Sequence, residues 1–161
     1  MARRKPRKPF GIVQLRECIE TSNEPSLHVS EEGIGATFRN PRRKELRKIK
    51  YDKCYFRATK GGRADYIIGY AGDIDVILEL KGSDLKQAVV QVTGTLDRWR
   101  DDLIHFPTII CLIVFGHTFP RMTSKLGVAE REFLDEHGTL LWIRKNAEEK
   151  FSFRKLAGKT S

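Results

Sequence analysis

The chain reads as an α/β fold in the order helix, three strands, helix, strand. Three observations predict it. Two apolar runs, residues 64–70 and 74–81, adjoin across Ala71-Gly72-Asp73. From 83 to 105, apolar residues recur at steps of three and four. At 108–115 the run TIICLIVF is unbroken. Runs rich in Ile, Val, Leu and Tyr between turn residues are strand signals, and a stripe at helical spacing is the mark of an amphipathic helix.

The elements follow in order. Residues 12–21 are expected to form a helix and 49–57 (IKYDKCYFR) the first core strand. The runs at 64–70 and 74–81 make a hairpin around the Gly-containing loop. In the next helix Leu85, Ala88, Val89, Val92, Leu96, Trp99 and Leu103 form one stripe. Ser83 or Asp84 is the expected N-cap, Asp84 and Gln87 resemble a capping box, and Gly94 permits close packing. The 108–115 run suits a buried central strand and is far too short to cross a membrane. A loop and helix are expected over 121–137, with Val128, Phe133 and Leu134 as contacts, then a strand at 140–143 and a short terminal element at 151–156.

A length of 161 residues suits one domain with a sizeable core. The three cysteines (Cys18, Cys54, Cys111) are widely spaced, without a CxxC pair, and suggest neither zinc nor a disulfide framework. No apolar signal-peptide core follows the basic start, so an intracellular, cytoplasmic setting is expected. His28, His105, His117 and His137 have no metal-ligand spacing. Phosphate-loop, GxSxG and Cys-His signatures are lacking.

The chemistry concentrates at 63–81 (RADYIIGYAGDIDVILELK). A hairpin centred on Gly72 sets Asp65 opposite Glu79, each seven residues from the centre, and cross-strand Cβ atoms stand about 4.5–5.5 Å apart. Both carboxylates can then reach one cation. Lys81 shares the face of Glu79, because side chains alternate along a strand. Asp75 shares that face too, but roughly 13 Å away along the strand, too far for the same ion. Asp73 reads as a turn residue. Charges interrupting an otherwise apolar strand are costly unless paired or metal-bound.

Ala64-Asp65 with Glu79-Leu80-Lys81 resembles the PD-(D/E)XK nuclease superfamily, with alanine in place of the usual proline. The matching residues lie within 49–91. The resemblance implies a restriction-endonuclease-like αβββαβ core, a mixed central sheet flanked by helices, in a single nuclease-like domain over 11–161. It implies a Mg²⁺-dependent endonuclease, with Mn²⁺ as a substitute. Asp65, Glu79 and the Leu80 carbonyl would hold metal, and Lys81 would orient the attacking water or stabilise developing charge. Gln91 on the following helix is either a residue touching the site or a solvent-exposed glutamine. Relatives often add a glutamate from the first helix; Glu17, Glu20 and Glu45 are the candidates here.

The formal charge of +9 is clustered. Residues 1–10 form a basic arm carrying Arg3, Arg4, Lys5, Arg7 and Lys8. A second cluster, at 39–50, includes Arg42, Arg43, Lys44, Arg47 and Lys48. Such clusters bind phosphate backbones through counterion release, so the expected partner is nucleic acid, DNA first, and not a membrane. One site per chain cuts one strand, so a double-strand break needs a homodimer or two visits. Two other classes fit the charge: a non-catalytic nucleic-acid-binding protein on the same fold, and a basic interaction or regulatory protein.

Overall fold

The hairpin around Gly72 is the centre of the molecule. Strands β5 (Tyr66–Tyr70) and β6 (Ile74–Lys81) pair antiparallel from Tyr70↔Ile74 to Tyr66↔Leu78. The turn is tight: Ala71 and Gly72 have φ of 54° and 69°, and the Asp73 N–H donates to the Tyr70 carbonyl at 2.9 Å. The computed structural model describes residues 17–52, 54–56, 62–116, 123–145 and 150–159. Other described strands are β1 (Ile19–Ser22), β2 (Ser26–Glu31), β3 (Ile34–Arg39), β4 (Leu46–Lys50), β7 (Thr108–Phe115), β8 (Leu141–Lys145) and β9 (Phe151–Ser152). The helices are α1 (Leu85–Trp99), α2 (Thr123–His137) and the short α3 (Phe153–Leu156).

The six-stranded sheet runs β1-β4-β5-β6-β7-β8. Its pairs from β1 to β6 are antiparallel, and β6-β7-β8 are parallel. A parallel pair needs a crossover, and α1 supplies the one between β6 and β7. The second sheet, β2-β3-β9, covers the opposite face. Three layers result. Ile67, Ile77, Cys111 and Ile113 face Ala88, Val92, Leu96 and Trp99 of α1 and Phe133 of α2. Ile68, Val76, Leu78 and Leu112 face Val29, Ala36, Phe38 and Phe153. With both faces covered, β6 and β7 read as unbroken apolar runs rather than alternating ones.

The expected hairpin, crossover helix and central strand are all present. The Asp84 carboxylate caps α1, accepting from the Gln87 N–H at 3.0 Å. Several expectations need correction. Ile19–Ser22 is a strand, not the end of a helix, because its backbone pairs with Leu46–Ile49; residues 12–16 lie outside the described set. The first meander strand is Leu46–Lys50 and gives way at Tyr51 to turns that stack Tyr51, Tyr55 and Phe56. Helix α1 stops at Trp99, leaving Leu103 fully exposed, and Val128 and Leu134 are exposed on α2. The β2–β3 hairpin was not anticipated at all. Nor was the Cys18–Cys54 disulfide, which spans 36 residues and leaves only Cys111 as a free cysteine among the described residues. No helix among the described residues is long and apolar enough to cross a membrane.

Candidate metal site at the end of the central strand

One step beyond the Tyr66↔Leu78 pair, Asp65 stands level with Glu79. Two hydrogen bonds lock the match: the Leu80 N–H donates to Asp65 Oδ2 at 2.8 Å, and the Asp65 N–H donates to the Glu79 carboxylate. Asp65, Glu79, Leu80, Lys81 and Gln91 all line one cleft of about 450 Å³. It opens where parallel strands β6 and β7 end, at Gly82 and Gly116, the position at which open α/β sheets form ligand crevices.

The 62–64 segment positions Asp65, and α1 holds that segment in three places. The Ala64 N–H donates to the buried Thr95 Oγ1 at 2.7 Å, the Arg63 N–H donates to Gln91 Oε1, and Arg98 donates to the Gly62 carbonyl. Gly62 and Gly94 face each other so closely that a Cβ on Gly94 would lie 2.8 Å from the Gly62 carbonyl oxygen. Gln91 therefore belongs to the cleft wall and fixes the backbone leading into Asp65.

On the other side the cleft is walled by the tip of the β2–β3 hairpin. Ile34 packs against Gly116, where a Cβ would come within 2.9 Å. Glu31 Oε1 accepts from the Tyr66 hydroxyl at 2.9 Å, and Asp52 pairs with Arg63 at 3.3 Å. Glu31, Glu32 and Asp52 are cleft residues that the sequence reading missed. A signal existed in the alternating Leu27/Val29 and Ile34/Ala36/Phe38 around Glu32-Gly33, which marks a hairpin. Nothing local says that its tip closes over the end of β6.

Among the described lining residues, Glu31, Glu32, Asp52, Asp65 and Glu79 face only Arg63 and Lys81 as cations, so the site is acidic in balance. Burial, then the Asp65 charge, pushes the Glu79 carboxyl up to about 9, against the pull of Lys81 and the Asp65 N–H. Burial raises Asp65 to about 6; the Leu80 N–H and Lys81 oppose the rise, while Glu31 and Asp52 add to it. Glu79 is 4% exposed, and its Oε2 is buried without a hydrogen-bond partner among the described residues. Buried polar atoms of this kind are rare and call for a ligand or proton.

Not every acid in the region is of this type. Asp75, also fully buried, accepts from Arg47 Nη2 (2.8 Å), Trp99 Nε1 (2.8 Å) and the Phe106 N–H (2.7 Å). The proposed first-helix glutamates are not at the cleft: Glu20 is exposed on β1 and pairs with Lys48 at 3.0 Å, Glu17 is exposed, and the Glu45 carbonyl accepts from the Ala71 N–H at the far turn. Residue 45 lies in neither a helix nor a strand. Among the described residues, no three Asp, Glu, His or Cys side chains converge to hold an ion. Asp65 and Glu79 are thus a two-carboxylate site with room for water and phosphate, which suits Mg²⁺, an ion usually held by one or two carboxylates.

Among the described residues, Arg63 and Lys81 are the basic side chains that line this cleft, and the cluster at 39–50 is not at it. Arg47 is turned inward, its guanidinium 3.8 Å from the Phe106 ring centroid and donating to the Ile104 carbonyl. It is a core residue rather than a phosphate contact. Lys48 is engaged with Glu20. Arg42, Arg43 and Lys44 are exposed on a turn organised by buried Asn40, which donates to the Glu24 and Lys44 carbonyls. That turn sits beside Ala71, the length of β6 from the cleft, or about 23 Å. Arg3, Arg4, Lys5, Arg7 and Lys8 lie outside the described residues. No family model, curated protein or solved structure matches the chain.

Proposed function

We propose that this protein is a divalent-metal-dependent nuclease with a restriction-endonuclease-like core, hydrolysing phosphodiester bonds in nucleic acid, DNA first. The observation that carries the reading is the buried, unpartnered Glu79 Oε2 beside Asp65 in an open cleft. The residues fit a hard cation: two carboxylates held in register, with Leu80 lining the same cleft and its carbonyl proposed as a further ligand. Mg²⁺, or Mn²⁺ in its place, would supply an acidified water and charge neutralisation at the phosphate.

The protein's own residues do the rest. Asp65 and Glu79 fix the cation's position through the strand register. Lys81, on the same face and lining the cleft, donates hydrogen bonds to the incoming water or to phosphate oxygens. Gln91 keeps the 62–64 backbone against α1 and so keeps Asp65 level with Glu79. The β2–β3 tip narrows the cleft and limits bulk water. The reading sets the protein inside the cell, where its substrate is; the Cys18–Cys54 disulfide is the observation that runs against a reducing cytosol.

The test is cleavage of supercoiled plasmid, linear duplex, a four-way junction, single-stranded DNA and RNA with Mg²⁺, Mn²⁺ or EDTA. Wild type should yield metal-dependent products. Asp65→Asn, Glu79→Gln and Lys81→Ala should each lower the rate by at least about 10²–10³-fold while the protein still binds nucleic acid. Appearance of linear before nicked plasmid would indicate a homodimer. Binding without cleavage in either metal would replace this reading with that of a non-catalytic nucleic-acid-binding protein.

A further inference from the structure

A second surface, away from Asp65 and Glu79 and sharing none of the cleft's lining residues, is strongly cationic. It is built where β3, β8 and the β9–α3 junction meet. Arg39 ends β3 and pairs in parallel with Ser152. Residues Phe153 and Leu156 of α3 are buried, so Arg154 and Lys155 between them must face outward, and both are exposed. Phe153 is clamped by stacking on Tyr70 and Phe38, with centroids 4.7 and 5.1 Å apart. The cationic face therefore rests on packed aromatic rings rather than on a loose tail.

Two hollows of about 660 and 290 Å³ lie side by side, with Arg39, Ser152 and Lys155 lining both, and together they make up a cationic trough. Its described lining includes Arg39, Arg42, Arg144, Lys150, Arg154 and Lys155, and no carboxylate. Only Arg144 has an acidic partner among the described residues, Glu130 at 3.1 Å. Even counted against Glu130 and the sequence-adjacent Glu148 and Glu149, the cations remain in excess. Trp142 adds an aromatic surface: its Nε1 donates to the Leu156 carbonyl, and Arg144 stacks on its ring at 4.8 Å. Gathering like charges in this way costs self-repulsion that a polyanion relieves. A trough with several guanidinium and ammonium groups suits a repeating phosphate chain better than a single anion.

We propose that this trough is where the protein grips the sugar-phosphate backbone of nucleic acid. The inference rests on nucleic acid being the substrate of the cleft; of the sequence cluster at 42–48 it keeps Arg42 and leaves out Arg47 and Lys48, which are engaged with Asp75 and Glu20. Strand β3 links the two places. Ile34 touches the cleft wall and Arg39 the trough, about 17 Å apart along the strand. At about 3.4 Å per nucleotide of one strand, a substrate reaching both must extend some five nucleotides beyond the bond to be cut.

The test is the salt dependence of binding to a fluorescent 30-base-pair duplex in EDTA, where cleavage plays no part. Full-length wild type is compared with Arg39→Gln/Lys150→Gln/Lys155→Gln and with Lys86→Gln/Lys125→Gln/Arg131→Gln, which removes equal charge from the helical layer. The trough variant should bind roughly tenfold or more weakly and lose about 2–3 units of log–log salt slope. The helical-layer variant should lose little. Arg42→Gln/Arg154→Gln, at the other end of the trough, should reproduce part of the loss, with melting curves confirming folded protein throughout. Equal losses in the trough and helical-layer variants, or none in either, would overturn the proposal. So would unchanged duplex binding alongside lost binding to phosphatidylserine vesicles. Duplex binding lost only in the trough variants, with no cleavage in any metal, would keep this interface while removing the nuclease reading.

Discussion

Asp75 and Glu79 lie four residues apart on one face of β6, both buried, both with carboxyls raised by burial. Asp75 is met by a guanidinium, an indole N–H and a backbone N–H, so both its oxygens have donors within the structure. Glu79 receives one backbone N–H and keeps an oxygen without a partner among the described residues. The sign of the linkage is therefore fixed. Glu79 in the unfolded chain titrates near its ordinary value of 4.5, whereas in the folded protein it titrates near 9. Below the lower value it is neutral in both states and costs nothing. As pH rises the unfolded state ionises first, and stability falls until the folded carboxyl also ionises, near 9. Asp65 acts in the same direction between 3.8 and about 6. In metal-free protein, Glu79→Gln should thus stabilise the fold by about 1–3 kcal/mol at pH 8.5 and by much less at pH 5. Urea denaturation at the two pH values measures it; equal effects at both would show that Glu79 is solvated rather than strained.

At the scale of elements, the contact between α1 and the 62–64 segment decides where Asp65 stands. Gly94→Ala gains helix propensity of about 0.5–1 kcal/mol but drives a methyl group against the Gly62 carbonyl. Asp65 should shift with that segment, weakening Mn²⁺ binding about tenfold by calorimetry and lowering the melting temperature; unchanged affinity would mean that the Leu80–Asp65 bond alone sets the site. Much of this was legible in the sequence. The symmetric spacing about Gly72 gave the Asp65–Glu79 register, because a hairpin's pairing follows from its turn. The unbroken run at 108–115 gave a buried strand, and Ser83 and Asp84 were the two cap candidates, of which Asp84 caps the helix. What stayed hidden depends on contacts distant along the chain. Arg47 sits in a run that reads as a solvated basic cluster, yet Asp75 and Phe106 draw it inside. Glu31 reaches the cleft only because a hairpin from one layer folds over the end of another. The helix expected at 12–21 fails over Ile19–Ser22 because those residues find a strand partner, and local propensity yields to that pairing.

For the whole molecule, the three layers are tied together chiefly by burial, and one covalent link adds to it. Cys18 precedes edge strand β1 and Cys54 lies in the aromatic turn beyond β4, so their bond fastens the sheet's outer edge to the Tyr51–Trp99 cluster. Closing a 36-residue loop should contribute about 2–4 kcal/mol. Cys18→Ser/Cys54→Ser, or reduction of the wild type, should lower the urea midpoint accordingly, and identical midpoints with and without reductant would show that the bridge does not form. The site should survive the loss, since Asp65 and Glu79 are set by β5, β6 and α1 rather than by β1.

Strand β6 has hydrogen-bonded neighbours on both edges and a covering layer on each face. In terms of amide exchange, such a strand opens only when the whole protein opens. Glu79 is carried on it, so the backbone cannot yield locally to swing the carboxylate into solvent. A charge on so stiff a mount has two exits, a proton or a cation, and on the proposed reading the occupancy of the site is a competition between the two.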